Sequence, residues 1–122
     1  MRIFKTKVFN KWAKGLLLDD SLLVASHEIA AGNFDASLGQ KVYKKCIAAA
    51  GKGKSGGTRT IVAYQEGNNL FFVDGFTKGE KANVSPTEKI AFQKAASVYL
   101  ALCTADLNKA VKANKLIEIK LR

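Results

Sequence analysis

From Lys41 onward the side chains follow a period of two, and no other pattern in the sequence limits the fold as strongly. Tyr43, Lys45 and Ile47 fall on one side of an extended segment, and Val42, Lys44, Cys46 and Ala48 on the other. A connection with four glycines, Gly51 to Gly57, is followed by a second extended segment, Thr58 to Gln65. Glu66-Gly67-Asn68-Asn69 then reads as a hairpin turn into a third, Leu70 to Phe76. Three strands joined by short turns predict an antiparallel meander.

Around the meander the periodicity becomes helical. Arg2 to Lys5 reads as a short first strand and Lys7 to Lys14 as a helix, with Thr6 as N-cap and Gly15 as terminator. Asp20 or Ser21 can cap a second helix through Ala31, with Gly32 as its left-handed exit and Asn33 to Gly39 as a polar loop. Ser85-Pro86-Thr87-Glu88 satisfies the capping-box rule, with a hydroxyl at the N-cap, Pro at the first helical position and Glu three residues on. A third helix is therefore expected from Pro86 to Leu102. Thr104 can cap a fourth to about Ala113, and Leu116 to Lys120 reads as an edge strand or extended tail. The order predicts an α+β fold: a twisted antiparallel sheet, made of a short N-terminal strand plus the meander, with two N-terminal helices packed on it and helices at the C-terminal end. At 122 residues, one domain over 1–122 is expected.

Charge narrows the function. Twenty Lys and Arg against ten Asp and Glu give +10, and Ala36 to Gln65 contains no acid while holding Lys41, Lys44, Lys45, Lys52, Lys54 and Arg59. A second acid-free stretch runs from Met1 to Leu18. Clustered positive charge attracts a polyanion. No apolar run approaches the roughly 20 residues that cross a bilayer, and Met1 to Lys5 lacks the pattern of a signal peptide, so the expected setting is the cytoplasm, without a membrane partner. Cys46 and Cys103 are expected as reduced, half-buried thiols. Neither has a His or Cys at metal-ligand spacing, and the residues call for no cofactor.

Gly53-Lys54-Ser55 resembles the end of a P-loop, but Ala48 stands where that motif needs Gly, and a strand is expected to follow instead of a helix. The segment can still hold phosphate, since glycines let backbone N–H groups approach an anion while Lys52 and Lys54 supply charge. Lys44 or Lys45 from the preceding strand and Arg59 from the next would converge on one sheet face. A one-residue slip exchanges the two lysines. In a meander the start of the strand at Arg59 lies beside the end of its neighbour at Phe76, which brings Lys78 and Lys81 near. Phe4, Phe9 and Trp12 read as core anchors, His27 as a structural histidine, and Tyr43 and Tyr64 as packing residues able to reach the basic face. At most one of Phe71 and Phe72 is free to stack on a base.

Lys44-Lys45, Gly53-Lys54-Ser55-Gly56-Gly57-Thr58-Arg59-Thr60, Phe71-Phe72-Val73, Gly75-Phe76-Thr77-Lys78, Ala82-Asn83-Val84-Ser85 and the ending Leu116-Ile117-Glu118-Ile119 together carry a resemblance. The chain resembles the RelE/HigB-like toxins of type II toxin-antitoxin systems, and within them the phage-associated branch with a Lys-Ser-Gly-Gly-x-Arg core. The resemblance implies a ribosome-dependent mRNA endoribonuclease that blocks translation and is held by a cognate antitoxin, often a helix-turn-helix protein. It implies catalytic roles for Lys54, Arg59 and Lys78, with Arg59 steadying the scissile phosphate, and RNA contacts from Lys44, Lys45, Lys52 and Lys81. The C-terminal tyrosine or histidine that some relatives use has no counterpart, Asn83 and Ser85 standing in that region. Two other readings share the evidence of charge: a ParE-like poison of DNA gyrase, and an RNA-binding module without catalysis.

Cleavage of this kind needs a base for the 2′-OH, charge stabilisation at phosphorus and an acid for the leaving oxygen. Arginine cannot serve as the base, which assigns Arg59 to electrostatic stabilisation. Lysines crowded by other cations, their pKa values lowered, are left to share the proton transfers.

Overall fold

The computed structural model describes residues 1–49 and 57–120. The elements in chain order are β1 (Ile3–Thr6), α1 (Lys7–Ala13), α2 (Asp19–Ala30), β2 (Ala36–Gly39), β3 (Val42–Ala48), β4 (Gly57–Tyr64), β5 (Leu70–Thr77), α3 (Pro86–Leu100), α4 (Thr104–Lys112) and β6 (Leu116–Ile119). Among the described residues the strands form one sheet in the order β2-β3-β4-β5-β1-β6. The expected meander is its centre. The α+β class holds, and the sheet is antiparallel except where β1 runs parallel to β5.

Local chemistry explains the helix starts. Thr6 accepts a hydrogen bond from the Phe9 N–H at 3.1 Å and donates one to the Val73 carbonyl at 2.7 Å, so one hydroxyl caps α1 and ties it to β5. Ser85 and Glu88 form the full capping box of α3, a device in which the Ser cap alone contributes about 1 kcal/mol. At α2, by contrast, Leu18 is the N-cap and no side chain caps the helix, so neither Asp20 nor Ser21 has that role. Asp19 and Asp20 instead place negative charge in the first turn, where the helix dipole favours it. The third helix stops at Leu100, two residues early. Gly32 exits α2 at φ +89°, as expected.

One element differs from expectation, and one left open takes the edge-strand form. The polar loop from Asn33 contains β2, an edge strand paired with β3, and the turn between them holds Gln40 and Lys41 at positive φ. Lys41 thus belongs to a turn and not to the strand. The C-terminal segment, left between an edge strand and a tail, is β6, paired antiparallel with β1 from Ile3↔Ile119 to Thr6↔Leu116.

Both faces of the sheet are covered. Phe9, Ala13, Leu22, Ala25 and Ile29 of α1 and α2 pack with Ile3, Ile47, Val62, Leu70 and Phe72. Phe92, Ala96 and Leu107 of α3 and α4 pack with Phe4, Val42, Ile61, Phe71 and Phe76 on the other side. Phe71 and Phe72 are both fully buried, one on each face, which corrects the expectation that one could meet a base. Each such side chain contributes about 1.5–3 kcal/mol by burial. Trp12 lies flat against Gly75, where a Cβ would enter its ring, and donates from Nε1 to Glu80 at 3.0 Å. The end of β5 is thereby pinned to α1.

Candidate nucleic-acid interface

Register decides which lysine accompanies Arg59. In β3 and β4, Lys44 pairs with Ile61 and Cys46 with Arg59, whereas Lys45 pairs with Thr60. In β4 and β5, Arg59 pairs with Phe76 and Ile61 with Asp74. One face of the sheet therefore carries two adjacent rows, Cys46–Arg59–Phe76 and Lys44–Ile61–Asp74. Lys44 is the diagonal neighbour of Arg59, about 7–8 Å away in sheets of this kind, a spacing that suits two cations flanking one phosphate. Ile61 and Phe76 are buried under the α3 side, while Cys46 is exposed and Lys44 and Arg59 are half-exposed. The helical layer thus leaves this end of the face open.

Lys45 points the other way. Its ammonium donates to the Asn33 carbonyl at 3.0 Å and pairs with Glu28 of α2 at 3.5 Å, and the side chain is buried. Tyr43 shares that opposite face, with Tyr64 two residues beyond Val62, so the two tyrosines do not reach the basic rows. Gly57 begins a strand and not a helix, as the rejection of a P-loop required.

The family model described as "RelE toxin of RelE / RelB toxin-antitoxin system" matches residues 1–119. The chain belongs to the RelE toxin family. It is accordingly the toxin of a toxin-antitoxin pair, with a cognate antitoxin as partner. Among curated proteins none matches the chain.

In this RelE-family toxin the remaining candidates fall into three groups. Lys78 is exposed one residue beyond the end of β5, beside the start of β4, because Thr58 pairs with Thr77. Lys81 is committed within its own loop: its ammonium lies 4.9 Å from the centre of the Phe76 ring and pairs with Glu88 of α3. That pairing is the main reason the Glu88 carboxyl titrates below its ordinary range. Lys52 and Lys54 lie outside the described residues. Among the described residues, Arg59, Lys44 and Lys78 make none of the ion pairs.

Two residues that the sequence reading left out of the site stand beside Arg59. Cys46 is its direct cross-strand partner, and burial together with the neighbouring Asp35 pushes its thiol pKa up, against the pull of Arg59 and Lys44. Asp35 also accepts the Cys46 backbone N–H, immediately before β2 begins. Asp74 lies one row inward, half-buried, its Oδ1 accepting from the Gly75 N–H at 2.8 Å. Burial raises its pKa, the Gly75 N–H bond and Lys81 opposing the rise and Glu88 and Glu80 adding to it. The signal for both was present, since alternation from Arg59 names its cross-strand neighbours once the register is known. Cys46 and Cys103 are both free and both exposed, more so than expected. Tyr99 stacks on Phe71, away from the Arg59 rows, and His27 is an exposed residue of α2.

Proposed function

We propose that this toxin is an endoribonuclease that cuts mRNA on the ribosome, with Arg59 bound to the scissile phosphate. The observation that carries this reading is the register of β3, β4 and β5, which sets Arg59 and Lys44 together on the part of the sheet face that α3 leaves open. The reaction begins when the 2′-oxygen attacks the adjacent phosphorus. The bond from phosphorus to the 5′-oxygen then breaks, leaving a 2′,3′-cyclic phosphate and a 5′-hydroxyl. Negative charge grows on the non-bridging oxygens, where a fixed guanidinium is worth about 3–4 kcal/mol, or roughly 10²–10³ in rate. Lys44 and Lys78 hold the flanking phosphates in this reading. Lys52 and Lys54 join them from the glycine-rich connection, and Lys54 shares in proton transfer. Lys45, buried on the opposite face, serves the fold instead, and Lys81 positions the loop after β5.

The test is to map RNA 5′ ends after brief expression of the native chain and of Arg59→Ala. Cuts in register with codons, lost in a folded Arg59→Ala variant, are expected. A folded variant that remains fully toxic would overturn the role of Arg59. Broken DNA and altered supercoiling with intact mRNA would identify a gyrase poison, and RNA binding without new 5′ ends a non-catalytic module.

A further inference from the structure

On the face of the sheet opposite Arg59, aromatic side chains line a surface cavity of about 320 Å³. Phe34, Tyr43, Tyr64, the last turn of α2 with Gly32, and the exposed Glu66 line it. Phe34 and Tyr43 meet at 4.5 Å with their rings tilted by 47°. All three aromatics are half-buried. Gly32 has open space where a Cβ would stand, so the wall does not close over them.

The electrostatics of this cavity run against those of the chain. It lies at the carbonyl end of α2, where the helix dipole favours positive charge. Glu66 takes part in none of the ion pairs among the described residues, in a chain with twenty Lys and Arg. Lys41, on the neighbouring turn, donates instead to the side-chain Oε1 of Gln65 at 3.1 Å. Aromatic faces, an unpaired carboxylate and a helix C-terminus all favour a planar cation and disfavour phosphate.

We propose that this cavity receives an arginine side chain of the antitoxin. The guanidinium stacks on the tyrosine rings and forks onto the Glu66 carboxylate, a geometry that the compact, strongly hydrated lysine ammonium cannot reproduce. The inference rests on membership of a toxin-antitoxin family and not on the ribonuclease reading. It places an anchor for the partner on the face away from Arg59, so that holding the toxin and covering its RNA face become separable tasks.

The test has two arms. N-acetyl-arginine amide is titrated into the intact protein while the ring resonances of Phe34, Tyr43 and Tyr64 are followed by NMR. Saturable shifts are expected, weakened about tenfold by Glu66→Gln and absent with N-acetyl-norleucine amide. An equal response to norleucine, a response to guanosine monophosphate in place of arginine, or no response would overturn the proposal. In the second arm Glu66→Gln and Tyr64→Leu are combined with the co-expressed antitoxin. The complex should dissociate at least about tenfold more readily, while toxicity of the free toxin is unchanged. Undiminished affinity for the antitoxin would remove the arginine from this cavity.

Discussion

Asp74 shows how one side chain links the fold to the basic face. A carboxyl whose pKa is raised in the folded protein is held less favourably as an anion there than in the unfolded chain. Wherever it is ionised, the folded state bears the penalty. As pH falls through the folded pKa the group takes up a proton and the penalty disappears. Asp74→Asn should therefore stabilise the protein at neutral pH, and the gain should shrink as the pH is lowered toward the carboxylate range. Urea unfolding at a series of pH values reads this directly, and an Asn variant less stable at neutral pH would contradict it. Glu88 behaves in the opposite sense, since Lys81 holds its pKa down and the contribution of that pair is lost as pH falls through the lowered value.

At the scale of elements, the strands that build the candidate site were the most legible, and their register was the least. Alternation predicted β3, β4 and β5 but left Lys44 and Lys45 interchangeable, because a slip by one residue exchanges the faces. The choice is made from outside the strand, by Glu28 and the Asn33 carbonyl of the α2 region, which claim Lys45. β2 was missed because Ala-Ser-Leu-Gly has little strand character, and its pairing with β3 supplies what propensity does not. The burial of both Phe71 and Phe72 was readable, since Leu70 to Val73 is an unbroken apolar run of the kind found in strands covered on both faces. The register can be tested chemically. In a Cys103→Ser background, alkylation of Cys46 with a bulky reagent should abolish RNA cleavage, because the adduct stands across from Arg59. Since its pKa is raised, Cys46 should react slowly near neutrality and faster as pH rises, which mass spectrometry can follow. Full activity after complete labelling would argue against this face.

For the whole molecule, charge and architecture divide the surface. The acid-free stretch through β3 and β4 sets Lys44 and Arg59 on one face, the face proposed to meet RNA, while the aromatic cavity at the end of α2, with Glu66 in its lining, lies on the other. Binding of single-stranded RNA should weaken steeply with salt, and each phosphate contact removed should lower the slope of log affinity against log salt by about 0.7. Arg59→Ala and Lys44→Ala should each show that decrement, whereas Lys45→Ala, acting through the fold, should leave the slope unchanged. The position of β1 between β5 and β6 bears on a different property, the order of events in folding. β3, β4 and β5 are neighbours in sequence and can pair early, while β1 must find β5 and then β6 across long stretches of chain, β6 being more than a hundred residues away. Closing so long a loop costs entropy before any contact rewards it. Substitutions such as Ile119→Ala should then quicken unfolding and barely change the folding rate, while Val62→Ala in the meander should slow folding. The basic rows would take shape before the molecule is fastened.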